Sequence, residues 1–234
     1  MSQPHIPELP WAEIESSLWA DGFGRTGAVL SETQCQELRA VYADPARFRS
    51  RIDMARYRFG RGEYQYFANP LPAVVEKLRE CVYQHLHRAA TEWMAALRDD
   101  SRYPDSYDAF LKLCREQGQT RPTPLLLRYR AGDFNCLHQD VYGAVVFPFQ
   151  LVVGLSQPDE EYTGGELLLV EQRPRAQSVG HVFRLKQGEG VVITTRYRPV
   201  KGSRGYYRAA VRHGVSRVQS GERFTLGVIV HDGT

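Results

Sequence analysis

The chain has only four cysteines in 234 residues, and no two of them form a C-x-x-C pair. Cys35, Cys81, Cys114 and Cys136 therefore outline neither a zinc ribbon nor a thioredoxin-like redox site, and they are too scattered for a disulfide framework. No apolar run is long enough for a membrane-spanning helix, and the N-terminal MSQPHIPELPWAEIES has no basic stretch leading into an apolar one. The expectation is a reduced, cytoplasmic protein with no membrane association. Excess charge is small: 30 Lys and Arg against 27 Asp and Glu give a formal net charge of +3, which permits a polyanionic partner without requiring one. Internal repeats and low-complexity segments are missing too. What is there, 42% hydrophobic and 24% charged residues, suffices for a full core in one domain with an N-terminal extension.

The first half of the chain reads as helical. Trp11, Ile14, Leu18 and Trp19 recur at helical spacing until Gly22, Gly24 and Gly27 interrupt them. Ser31 with Gln34 three residues on forms a capping-box pattern, and the helix it opens should end near Asp44-Pro45. Residues 72–97 contain no internal Gly or Pro after Pro72, and Val75, Leu78, Val82, Leu86 and Trp93 predict one long amphipathic helix. A shorter helix is expected over 107–114. After Pro122 the pattern changes to short apolar or alternating runs at 125–129, 149–153, 167–170, 181–185, 191–195, 209–218 and 224–230, separated by turns such as Thr163-Gly164-Gly165 and Ser220-Gly221. The fold class is α+β: helices first, then an all-β sandwich or barrel, with a soft joint expected at 116–123.

Within the β half, His138 and Asp140 are two residues apart at a strand or strand edge, so a period of two projects both to one face. H-x-D alone arises often by chance, and a third ligand is needed. His181, His213 and His231 compete for that role. His213 is distinguished by the residues after it, an alternating strand, the Gly221 turn and then Arg223, whereas His181 and His231 suit a hydrogen-bonded surface or core position. Two imidazoles and one carboxylate occupy a face of an iron(II) ion and leave positions open for a 2-oxo acid and dioxygen, unlike a closed structural zinc site. Arg223 suits the far carboxylate of such a co-substrate through its charge and its forked guanidinium. Thr225 shares its strand face, and Tyr129, on the strand before H-x-D, is placed to donate a phenolic hydrogen bond to the same ligand.

Taken together, Tyr129-x-x-Gly132-x5-His138-x-Asp140, then Gly164-Gly165-Glu166-Leu167, then His213-Gly214-Val215 and Arg223 resemble the 2-oxoglutarate/Fe(II)-dependent oxygenase superfamily. The resemblance covers roughly residues 122–232. It implies a double-stranded β-helix (jelly-roll, cupin-like) core with N-terminal supporting helices: 1–121 as a support region and 122–234 as the catalytic core of one integrated domain. It also implies Fe(II) at His138, Asp140 and His213, 2-oxoglutarate at Arg223, and O2 as the oxidant. The ten-position step from His213 to Arg223 and the T-G-G-E-L segment look like the prolyl-hydroxylase-like branch. The spacing from Tyr129 to Asp140 is also similar to AlkB-type dioxygenases, although a second arginine a few residues beyond Arg223 is missing. As a whole the chain resembles a prokaryotic oxygenase family acting oxidatively on methylated, damaged DNA.

Three functions are expected from these features: oxidative demethylation of alkylated DNA bases, hydroxylation of a protein residue, free amino acid or other small molecule, and, in a different class, a non-catalytic cupin-like binding barrel. Two stretches bear on nucleic acid. Residues 196–208 hold five basic residues, three tyrosines and no acid in what reads as a long loop, and residues 56–67 mix Arg, Tyr and Phe in a segment suited to a lid. The alternative for both is that their arginines pair with the chain's acidic residues. The oligomeric state is not readable at this level.

Overall fold

A computed structural model of the chain describes residues 5–234; Met1–Pro4, part of the N-terminal stretch searched for a targeting signal, lie outside the described residues. Two helices and a strand come first: α1 (Trp11–Asp21), β1 (Phe23–Ala28) and α2 (Glu32–Val41). Next are β2 (Phe48–Asp53), α3 (Met54–Tyr57), β3 (Gly60–Arg61), β4 (Glu63–Phe67), α4 (Ala73–Ala96) and α5 (Tyr107–Glu116). The remainder is β: β5 (Leu125–Arg130), β6 (Phe134–His138), β7 (Phe149–Gly154), β8 (Tyr162–Gly164) and β9 (Leu167–Gln172). It closes with β10 (Val179–Phe183), β11 (Glu189–Thr194), β12 (Tyr197–Gly202), β13 (Gly205–Val215) and β14 (Val218–Ile229). The expected helices are all present, and Ser31 forms the predicted capping box, its hydroxyl accepting from Gln34 N–H while the Gln34 side chain accepts from Ser31 N–H.

The strands form two antiparallel sheets. One runs β1-β11-β7-β14-β5-β4-β2 with β8 beside β14, and the other runs β10-β9-β13-β6-β3 with β12 beside β13. This is the double-stranded β-helix, and α4 packs against β7, β12 and β14 of it. Alternation explains why the larger sheet is apolar on both faces. Val192, Leu151, Val153, Leu226 and Val228 join the helix-side core around Trp93, Tyr83, Phe110 and Phe149. Val191, Ile193 and Val152 join Leu167, Leu169 and Val211 between the sheets. On β14 the same period turns Arg223, Thr225 and Gly227 toward a cavity between the sheets.

Three expectations change. Residues 23–67 supply four strands, β1 to β4, in addition to helices; these strands are short and polar or glycine-rich, and long-range pairing decides them, not local periodicity. The stretch at 116–123 is not a soft joint. Gln119 is fully buried, donating to the carbonyls of Val145 and Asp232 at 2.9 and 2.5 Å and accepting from Val145 N–H at 2.7 Å. Residues 196–208 form the β12–β13 hairpin, not a loop. Among the described residues, no helix is long and apolar enough to cross a membrane.

Candidate metal centre and cosubstrate cavity

His138 ends β6, and His213 on β13 is its direct cross-strand partner. Asp140 lies two residues beyond His138. The three side chains bring their ligand atoms within 4.8 Å of one another. Asp140 Oδ2 lies 3.1 Å from His213 Nε2, and Oδ1 lies 3.6 Å from His138 Nε2. The backbone carbonyl of Cys136 can only accept, so the 2.8 Å contact from His138 Nδ1 puts the ring proton on Nδ1 and leaves the Nε2 lone pair facing Asp140. Burial, reinforced by His213, lowers the His138 pKa and favours the neutral, ligating ring.

Asp140 is buried, which by itself would raise its pKa, but His213, His138 and a hydrogen bond from Tyr142 outweigh burial and hold the carboxyl well below the usual carboxylate range. Tyr142 Oη donates to Asp140 Oδ1 at 2.5 Å and receives a 3.1 Å hydrogen bond from Tyr66. The carboxylate thus keeps one oxygen tied to a tyrosine and the other beside His213. Two imidazole nitrogens and one carboxylate fit a facial iron(II) site with open positions.

The cavity beside the triad has a volume of about 390 Å³, in the range of small-molecule sites. Arg223 faces it from β14, across the ladder from Tyr129 on β5; Thr225 lies two residues further on. All three are buried, and Tyr129 Oη, Arg223 Nη1 and Thr225 Oγ1 lack a hydrogen-bond partner. Burial pushes the Tyr129 phenol up, opposed first by the Arg223 charge and then by Asn135. Buried donors without partners are rare in folded proteins, and three around one cavity match the oxygens of an anionic ligand. Gly165, of the T-G-G-E-L segment, has φ +65°, and a Cβ there would sit 3.0 Å from Arg223 Cδ, so glycine makes room for the guanidinium.

The six predicted residues therefore line one cavity. The other histidines lie elsewhere: His181 packs on Phe23 at 4.9 Å, His85 stacks on Trp11 at 4.4 Å, His87 hydrogen-bonds Gln84 O, and fully buried His231 accepts from Phe147 N–H at 3.3 Å. Tyr142, Tyr66 and Gln150, whose amide lies 3.3 Å from His213 Nε2, were not anticipated. Alternation in H-x-D-x-Y would have pointed to Tyr142, and a glutamine inside the apolar run 149–154 would have pointed to Gln150. In the hairpin at 196–208, Arg198 is withdrawn from any polyanion: it is buried against Glu171 at 2.6 Å and donates to the Trp19 and Ala20 carbonyls.

A family model described as "Oxygenase, catalysing oxidative methylation of damaged DNA" matches residues 62–233. Two uncharacterized proteins of Mycobacterium tuberculosis, MT2286 (strain CDC 1551 / Oshkosh) and Rv2227 (strain ATCC 25618 / H37Rv), are each 52% identical over 166 residues, 71% of this chain and 71% of theirs. Among solved structures, a Pseudomonas putida prolyl-4-hydroxylase superposes with a TM-score of 0.57 at 16% identity, covering 95% of this chain and 100% of that one. A 2OG-Fe(II) oxygenase family oxidoreductase from Burkholderia pseudomallei gives 0.54 at 16% identity, covering 98% and 95%. A Trichoplax adhaerens prolyl hydroxylase in complex with a hypoxia inducible factor peptide fragment gives 0.56 at 12% identity, covering 95% and 89%. At these identities the superpositions show the shared fold, and the family match covers most of the chain. The three ligand atoms can hold a metal ion, the fold is the one shared with 2OG-Fe(II) oxygenases and prolyl hydroxylases, and the chain belongs to this oxygenase family, a family of oxidoreductases.

Proposed function

We propose that the enzyme hydroxylates the C–H bond of an N-methyl group on a damaged DNA base. In this reading His138, Asp140 and His213 hold the iron, and Arg223, Tyr129 and Thr225 receive the distal carboxylate of 2-oxoglutarate. The observation that carries the site assignment is the trio of buried, partnerless donors in the same cavity as the triad. When bound, the iron and cosubstrate supply a two-electron oxidation with O2, in which 2-oxoglutarate is converted to succinate and CO2. The protein's own part is positioning. Arg223 neutralises a carboxylate in a cavity shielded from water, where a charge-assisted hydrogen bond is strong; Tyr129 and Thr225 add donors; Tyr142 fixes the rotation of Asp140. Residues 1–121 act as the support and 122–234 as the catalytic core of one integrated domain, working in the cytoplasm.

The family description supports a DNA substrate. So does the cavity wall, where Tyr64, Tyr66, Leu125 and Leu127 offer flat and uncharged surfaces. An embedded base cannot reach the metal, so the substrate enters as a flipped or single-stranded nucleotide. Hydroxylation of a protein residue or free amino acid is the second reading, supported by the prolyl-hydroxylase-like step from His213 to Arg223. The test sets a methylated single-stranded oligonucleotide against a peptide library in the presence of Fe(II) and 2-oxoglutarate. Formaldehyde released with succinate supports demethylation; a peptide product heavier by one oxygen, with no formaldehyde, transfers the assignment to the second reading.

A further inference from the structure

We propose that Tyr57, Phe59 and Arg58 form a stacking clamp for single-stranded DNA at the cavity rim, gripping the nucleotide beside the one that enters. This rests on the reading of the cavity as the iron and 2-oxoglutarate site of a DNA-base oxygenase.

The rings of Tyr57 and Phe59 stack at 5.6 Å and 20° and are 48% and 49% exposed. Phe59, Arg58 and the exposed Leu137 also line the cavity itself, so this open aromatic surface is continuous with the route to His138. Burial elsewhere in the chain does not explain two large rings left in water at one spot. A base stacked on such a pair replaces the neighbour it loses when the adjacent nucleotide leaves the strand.

Charge at the rim is selective. Arg51, Arg61, Arg128 and Arg130 are each paired with Glu63, Asp133 or Glu222. Arg56, over the Tyr57 ring at 5.9 Å, and Arg58 have no acidic partner among the described residues. Two guanidiniums without an acidic partner beside two half-exposed rings match the alternation of phosphate and base along a strand. An apolar or acidic peptide would use the cations or the rings, but the flat stacked pair favours a planar group.

The clamp is also rigid. Asp53 caps α3 by accepting from Ala55 N–H at 3.0 Å, Met54 beneath it is fully buried, and Phe59 N–H returns to Met54 O at 3.0 Å. Phe59 O accepts from Cys136 N–H at 2.8 Å, two residues before His138, and Gly60 pairs with Asn135 so closely that a Cβ would lie 2.3 Å from Phe134 O. Arg58 ends α3 as a left-handed C-cap at φ 60°, its N–H bonded to Ala55 O, which sets the direction in which the chain leaves toward Phe59.

The test measures fluorescence anisotropy of a labelled single-stranded oligonucleotide carrying one N-methylated base. The full chain is used, loaded with Fe(II) and 2-oxoglutarate under argon so that no turnover occurs. Tyr57→Ala with Phe59→Ala should weaken binding about tenfold or more. Phe59→Tyr should preserve it and Phe59→Leu should not. Arg56→Gln with Arg58→Gln should flatten the dependence of log K on log salt by about 1.4, at about 0.7 per phosphate contact on a single strand. Val182→Ser, on β10 at the other edge of the sheet from β3, should change nothing. Unchanged affinity in the double alanine variant, equal binding by Phe59→Leu and Phe59→Tyr, or preference of the unmodified chain for peptides would overturn the clamp. Calorimetric titration with 2-oxoglutarate is recorded in parallel: oligonucleotide binding lost with cosubstrate binding kept supports the clamp, whereas no cosubstrate binding by the unmodified chain overturns the cavity reading beneath it.

Discussion

At the scale of single residues, the site depends on how Asp140 is held. Its buried carboxylate meets two imidazoles and one phenol, and Tyr142 is the only one of these that is not itself a proposed ligand. Tyr142→Phe deletes that hydrogen bond with almost no change of volume. Metal affinity should fall by roughly 10–100-fold, as for other groups that orient a ligand, while the melting temperature changes little. Titration of Mn(II) or Fe(II) into both proteins checks this, and equal affinities would show that Tyr142 does not orient the ligand. The triad was legible because two features occur in order: the two-residue step from His138 to Asp140, and the alternating strand and Gly221 turn that lead from His213 to Arg223. Tyr142 was not, because its hydroxyl matters only through the bond it makes in three dimensions.

Among elements, β14 serves the core and the cavity at once, because its two faces do different work. Phe224, Leu226 and Val228 seat it against the helices, and Arg223 and Thr225 face the cavity. The turn before β9 is shaped to fit it. Gly165→Ala would force a Cβ into a left-handed φ and toward Arg223, costing about 1–2 kcal/mol of stability and raising the KM for 2-oxoglutarate, with metal affinity nearly unchanged. Steady-state kinetics alongside urea denaturation separate the two effects; an unaltered KM would show that Gly165 does not shape the Arg223 pocket. Helices were readable as elements, since α4 shows its period over 24 residues and α2 announces its cap. Strands β1 to β4 were not, because sequences such as Phe23-Gly24-Arg25-Thr26-Gly27 become strands only when β11 is there to pair with them.

For the molecule as a whole, the C-terminal segment ties the helices to the sheets. Arg79 of α4 donates to Asp232 at 2.6 Å and to Ile229 O at 3.0 Å, and Gln119 and His231 fill the space around it. This explains why the division into helices first and strands second describes composition but not packing. Burial, followed by the Arg79 charge, pushes the His231 pKa down to about 3 from 6.5. The unfolded chain therefore binds a proton near pH 6.5 that the folded chain does not take up until about pH 3. Stability from the neutral ring is complete above pH 6.5 and is lost as pH falls through that window, roughly 3 kcal/mol by pH 4. His231→Gln keeps an acceptor for Phe147 N–H without the titration, so its stability deficit relative to the unmodified protein should shrink between pH 7 and pH 4 by that amount in urea denaturation; a constant deficit would contradict the assignment.

The most direct test of the iron and cosubstrate assignment is succinate formation from 2-oxoglutarate by the purified chain with added Fe(II) and O2, compared with His213→Ala and Arg223→Gln. Turnover is expected in the unmodified protein and none in His213→Ala, with iron binding lost. In Arg223→Gln the KM for 2-oxoglutarate should rise roughly 10–100-fold through loss of a charge-assisted contact. Turnover in His213→Ala at the unmodified rate, or an Arg223→Gln enzyme with an unchanged KM, would contradict the assignment.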